Sequence, residues 1–286
     1  MTGGRQPCNG AMAERDELVT NLRQLMELER GFGVEWLPLP ERAAPAATVA
    51  SATPQAIPAT VRPAARTVEP ARVATPAAAA LTPDAWTPPG DLLTLPAATA
   101  LTHIAADIDA CRRCGLCKER QRTVPGEGTT TPDIMFIGEG PGADEDALGR
   151  PFVGAAGQLL DKMINAMGFQ RGQVFIANVV KCRPPGNRTP EPAEVSACLT
   201  FLIAQIAVLK PKVLCLLGNT PLKALFGQDT KGITQMHGQR LEWQGLPTYP
   251  TFHPSYLLRN EAGKKPAWED LKRVLAELGR EPPRRS

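Results

Sequence analysis

Three short runs of almost unbroken apolar residues punctuate this 286-residue chain after its first 130 residues: Asp133–Gly138 (DIMFIG), Val174–Val180 (VFIANVV) and Val213–Leu217 (VLCLL). A strand with one wet face alternates apolar and polar residues; these do not, so both of their faces must be covered. The stretches between them carry helical spacing, at Ala155–Met167, at about Glu191–Leu209 and in a short piece after Asn219. A fourth strand is expected over Pro247–Phe252 and a last helix over about Pro266–Leu278. Strands alternating with helices predict an α/β fold with a parallel sheet between two helical layers. Such sheets bind ligands beyond the carboxyl ends of their strands. That rule selects the loops Gly138–Phe152, Asn178–Arg188 and Phe252–Asn260, which are also rich in glycine, proline and polar residues.

Upstream the character changes. Residues 13–30 place Leu18, Leu22 and Leu25 on one narrow apolar stripe, enough for a helix but not for a core. More than half of Ala43–Pro83 is alanine or proline. A proline roughly every six residues breaks any helix, and little apolar surface is left to offset ordering. The chain thus divides into an N-terminal helical segment (1–40), a disordered Ala/Pro-rich linker (41–98), a globular domain (99–280) and a flexible tail (281–286). The first segment is either a solvated ornament or a docking site for a protein partner. No window approaches the ~18 consecutive apolar residues of a membrane span, and no apolar stretch follows the N-terminal charges, so a cytoplasmic address is expected. The net charge of +3 permits a nucleic-acid partner without requiring one.

Seven cysteines in a reducing compartment point to metal binding or catalysis before disulfides. Cys111 and Cys114 form a C-x2-C pair with Cys117 close behind, and Cys182 and Cys198 follow at a distance. Brought together, four thiolates hold either zinc or an iron–sulfur cluster, and spacing does not choose between them. Cys215 lies mid-strand among leucines as a core residue, and Cys8 lies in the loose terminus.

The loops carry the rest of the chemistry. Gly138-Glu139-Gly140-Pro141-Gly142 lets backbone approach a ligand closely, and the acidic residues after it suit a developing cation better than a phosphate. Asn178, at a strand end, offers a donor and an acceptor to a base edge, or else caps a turn. His253 closes the last strand as either a catalytic donor or a structural histidine. Arg112, Arg113, Lys118, Arg120 and Arg122, with Lys181, Arg183 and Arg188, would give a phosphate-binding face if the fold gathers them.

In order, GEGPG, GRPFVG, NVVKCRPP and HPSYLLR, together with the four cysteines, resemble the family 4 uracil-DNA glycosylases, over roughly Cys111 to Leu278. The resemblance implies a three-layer α/β/α sandwich with a central four-stranded parallel sheet. It implies a [4Fe–4S] cluster held by Cys111, Cys114, Cys182 and Cys198, with Cys117 outside the set. It further implies that Phe152 stacks on a flipped uracil, that Asn178 reads N3–H and O4, and that His253 donates to O2. Glu145 falls where the 5-methyl of thymine would be blocked, although the matching motif position here is Gly142. Glu139, with the Gly140–Pro141 backbone, would line the sugar and water side, and Leu257, or else Leu258, would wedge into the vacated stack. Where related enzymes use an aspartate on water this chain has Gly140, leaving Glu139 first and Glu145 second for that task. With no lysine marked as a nucleophile, the expected enzyme is a monomeric, monofunctional glycosylase acting on uracil-containing DNA. The competing readings are a non-catalytic module binding uracil or abasic DNA, and an electron carrier, which has no use for the pocket residues. A covalently trapping branch carries a histidine in an inserted basic loop, and no such insert follows Asn187.

Overall fold

The computed structural model describes residues 88–283. The expected N-terminal helix and most of the linker lie outside the described residues. A short 3-10 turn at Leu92–Thr94 buries Leu92, so folded structure starts ahead of Thr99. Then come α1 (Ala97–Ala110), β1 (Glu127–Gly128), β2 (Ile134–Gly138), α2 (Ala143–Leu148), α3 (Ala155–Ala166), β3 (Phe175–Asn178) and α4 (Pro192–Leu209). They are followed by β4 (Val213–Leu217), α5 (Asn219–Phe226), α6 (Ile233–Met236), β5 (Leu241–Trp243), β6 (Leu246–Thr251), α7 (Pro254–Arg259) and α8 (Lys264–Glu277).

The sheet runs β1-β3-β2-β4-β6-β5. Its centre, β3-β2-β4-β6, is the expected parallel quartet, but the sheet has six strands, because β1 and β5 pair antiparallel at its two edges. Strand periodicity assigns the two faces. Met135, Ile137, Leu214 and Leu216 pack into one core with Ile104 and Ile108 of α1 and Phe201 and Leu202 of α4. Their neighbours Ile134, Phe136, Val213 and Cys215 pack into the other with Leu160 and Ile164 of α3 and Val274 and Leu275 of α8. A run that is apolar at every position is therefore a strand feeding two cores. The α/β/α sandwich follows.

Helix α4 starts where Pro192 occupies the first turn and the Glu194 carboxylate accepts from the Glu191 N–H. It is long and apolar enough to cross a membrane (mean hydropathy 1.7), yet 67% of it is buried inside the domain, as befits a core helix. From β2 the chain passes to β3 on one side and later to β4 on the other. Connections thus reverse at β2, and a crevice opens at its carboxyl end, Gly138.

Candidate active site

Gly138 and Asn178 are paired across β2 and β3 at the rim of the sheet. The loops beyond stay zipped, Val179 N–H donating to the Gly138 carbonyl and Val180 N–H to that of Glu139. Asn178 is 1% exposed, and among the described residues its Oδ1 has no hydrogen-bond partner. An orphaned buried amide oxygen costs about 1–3 kcal/mol unless something fills its valence. A Cβ added at Gly138 would come within 3.0 Å of both Asn178 Oδ1 and the Phe152 ring tip, so amide and ring both pack against Gly138 and only glycine fits there.

Phe152 is held under strain. Its φ of 50° is a left-handed conformation that a bulky residue seldom takes. Two devices over-determine it. Gly157 of α3 lies so close that any side chain there would overlap the Phe152 carbonyl. Arg171 donates to the carbonyls of Phe152 and Pro151 while ion-paired to Glu127 and Asp161, each at 2.7 Å. The ring ends 5.6 Å, centre to centre, from that of His253.

His253 caps α7. Its Nδ1 accepts from the Ser255 N–H at 3.1 Å and lies 2.7 Å from the Ser255 hydroxyl. A backbone N–H can only donate, so Nδ1 carries the lone pair and the neutral ring keeps its proton on Nε2. Burial lowers the His253 pKa to about 4, with Glu145 pulling weakly the other way, so the ring is neutral near pH 7.

Glu145 proves to be a scaffold. Its carboxylate accepts from the N–H groups of Gly142, Val153 and Gly154 at 2.9–3.0 Å, tying the GEGPG and GRPFVG loops together. It also fills the place a side chain at Gly142 would take. Glu139 is freer. Its carboxylate accepts from the Thr220 hydroxyl, and it lines two adjoining cavities. The smaller, about 360 Å³, is bounded by Gly140, Pro141, Glu145, Phe152, Asn178 and His253. The larger, about 770 Å³, shares Glu139, Gly140 and His253 and extends to Thr220, Lys223 and Arg259.

Two expectations are corrected. Leu257 is 1% exposed and packed with Phe252 and Ala267, where it holds α7 down and cannot enter a base stack; Leu258 is 50% exposed. Lys181 is wholly buried, its Nζ donating to the carbonyls of Asn178 and Pro125 and to Gln205 Oε1, and so takes no part in a phosphate-binding face. Of the other basic residues, Arg188 is ion-paired with Glu194 at 2.7 Å and Arg113 lies over the Phe201 ring, whereas Arg112, Lys118 and Arg122 are exposed. Sequence reasoning missed Arg171, Thr220 and Ser255, whose roles depend on what they touch across the fold.

Cys111, Cys114, Cys182 and Cys198 line one small cavity, and Cys117 lines it too. Among the described residues no three cysteine, histidine or carboxylate side chains converge as a single ion would need. The thiols stand around this cavity rather than gathering at one point. N–H donors surround them: Arg120 to Cys182 at 3.0 Å, the Lys181 backbone to Cys198 at 3.3 Å, and Arg113 to Cys111 at 3.4 Å. Such donors tune thiolate ligands. Burial raises the pKa of Cys114, Cys182 and Cys198, the last to about 12, so these sulfurs are no free nucleophiles. Cys215 is buried in β4, as a core residue should be.

A strand-end amide, a strained aromatic and a neutral imidazole thus line one cavity at the rim of the sheet. The sequence matches the family model described as the uracil DNA glycosylase superfamily over residues 125–272. It is 44% identical to the type-4 uracil-DNA glycosylase of Thermotoga maritima over 175 residues, 61% of this chain and 88% of that protein. It is 43% identical to the type-4 enzyme of Sulfurisphaera tokodaii over 183 residues, 61% of this chain and 83% of the other. A type-5 uracil-DNA glycosylase of Pyrobaculum aerophilum is more distant, 29% identical over 154 residues, 48% of this chain and 67% of that protein. The chain belongs to the uracil DNA glycosylase superfamily, and within it to the type-4 group.

Proposed function

We propose that this protein is a monofunctional uracil-DNA glycosylase, hydrolysing the bond between C1′ of deoxyribose and N1 of uracil to leave an abasic site. The observation that carries this reading is the unpartnered, buried Oδ1 of Asn178 beside the Phe152 ring. A base inside a duplex cannot reach such a slot, so the nucleotide must swing out of the stack. The flipped ring lies on Phe152. Asn178 Oδ1 accepts from uracil N3–H while its Nδ2 donates to O4. Cytosine presents the reverse pattern, an unprotonated N3 and a 4-amino donor, and would leave both groups mismatched. Glu145, filling the space beside Gly142, crowds the 5-position against thymine.

As the glycosidic bond breaks, its electron pair leaves with uracil and negative charge grows on O2. The His253 Nε2–H is the donor available to meet it. A donor that strengthens only as charge develops contributes on the order of 10²–10³ in rate. Glu139, steadied by Thr220, orients the water that attacks C1′ and takes its proton. Leu258 fills the gap left in the stack. Among the described residues no lysine lines the smaller cavity, which supports hydrolysis over a Schiff-base lyase. Cys111, Cys114, Cys182 and Cys198 would hold a [4Fe–4S] cluster, which when bound cross-links the first cysteine segment to the loop after β3 beside the DNA-facing rim. The test is incubation with a uracil-containing oligonucleotide, then hot alkali. Scission at the uracil position only after alkali is expected; intact DNA bound tightly would favour a non-catalytic binding module.

A further inference from the structure

Lys181 is a charged side chain with no exposed surface, and among the described residues its ammonium makes no ion pair. Its partners are three neutral oxygens: the Asn178 carbonyl at 2.9 Å, the Pro125 carbonyl at 3.2 Å and Gln205 Oε1 at 2.7 Å. Burying a cation costs several kcal/mol, and fixing a loop does not require one, since an amide or hydroxyl could bridge carbonyls. The placement explains the cost. Lys181 Nζ grips the peptide group of the residue whose side chain reads the base, and the Lys181 backbone N–H donates to Cys198 Sγ at 3.3 Å. Gln205, which holds the ammonium from the far side, stands seven residues from Cys198 on the same face of α4 and donates to the Pro125 carbonyl at 2.8 Å. One residue thus links the cysteine-lined cavity to the rim of the base slot.

We propose that Lys181 is a positioning residue for base recognition, fixing the main chain at Asn178 so that its amide stands ready for N3–H and O4 before uracil arrives. The proposal rests on reading Asn178 as the base reader. Holding the Asn178 carbonyl with an ammonium that is itself fixed by Pro125 and Gln205 spares the amide a search for its geometry on binding, which raises affinity for the base without any contact to it.

The test compares wild type, Lys181→Met, Asn178→Ala and the double variant, with Gln205→Leu as a milder change should Lys181→Met not fold. Three quantities are read: inhibition by free uracil, affinity for abasic DNA, and iron content with its visible absorption. Lys181→Met is expected to weaken uracil inhibition about tenfold to a hundredfold, the loss typical of one charged hydrogen bond. Abasic-DNA affinity and iron content should stay within about twofold. The double variant should be no worse than Asn178→Ala alone, because both changes act through one amide. Gln205→Leu should shift uracil inhibition in the same direction by a smaller factor. Unchanged uracil inhibition in Lys181→Met, additive losses in the double variant, or loss of iron and DNA affinity together would each overturn the positioning role. A wild-type protein that releases no uracil would instead overturn the reading of the site itself, which separates the two failures.

Discussion

At the scale of single residues, the proposed slot rests on Asn178 Oδ1, buried and without a hydrogen-bond partner among the described residues. Asn178→Ala removes both contacts to the uracil edge and should lower kcat/KM on uracil DNA by on the order of a hundredfold or more, with melting temperature nearly unchanged. Deleting a buried amide with an orphaned oxygen should not destabilise the fold. His253 sets the acid limit. Its ring is neutral above about pH 4, and protonation would place a hydrogen on Nδ1 facing the Ser255 N–H. Activity governed by this group should therefore hold down to about pH 5 and fall towards pH 4, which a kcat/KM profile checks. Stability has its own window. The unfolded imidazole takes up a proton near its ordinary 6.5, before the folded one does, so His253 costs the folded state stability progressively as pH falls from about 6.5 to about 4. Asn178, Phe152 and His253 were legible because each sits at a strand end or in a short motif. Leu257 was not. Two adjacent leucines on a one-turn-and-a-half helix look alike in sequence, and only packing against Phe252 and Ala267 tells them apart. Leu257→Ala should accordingly cost about 2–4 kcal/mol of stability, and Leu258→Ala almost none, while Leu258→Ala alone weakens action on double-stranded uracil DNA.

At the scale of elements, three of the four central strands could be read from their unbroken apolar runs, since a strand feeding two cores announces itself, whereas β6 (LPTYPT) carries no such run. The edge strands could not: Glu127–Gly128 and Leu241–Trp243 are two and three residues long, too short for any periodicity. Yet β1 matters to the site, because its Glu127 pairs with Arg171, which clamps the strained Phe152. Long-range clamps of this kind leave no local signature. Gly138, at the end of β2, is where element and slot meet. Gly138→Ala should push the Asn178 amide and the Phe152 ring out of place, reducing uracil release by at least about a hundredfold while abasic-DNA binding persists. A competition assay with both DNAs separates the two effects.

At the scale of the whole molecule, the cysteine-lined cavity joins the segment after α1, the loop after β3 and the middle of α4, three regions far apart in sequence. A C-x2-C pair hinted at such a centre, but which distant cysteines join it depends on the fold, and Cys117 shares the cavity. Cys182→Ser should lose visible absorption and DNA affinity together; a colourless variant with unchanged affinity would deny the centre any part in DNA binding. The most direct trial of the account is a crystal of the protein soaked with free uracil. The base should lie flat on Phe152, its N3–H and O4 edge against the Asn178 amide and its O2 within hydrogen-bonding distance of His253 Nε2. Uracil seated in the larger neighbouring cavity, or in the smaller one with its N3–H and O4 edge turned away from Asn178, would contradict it.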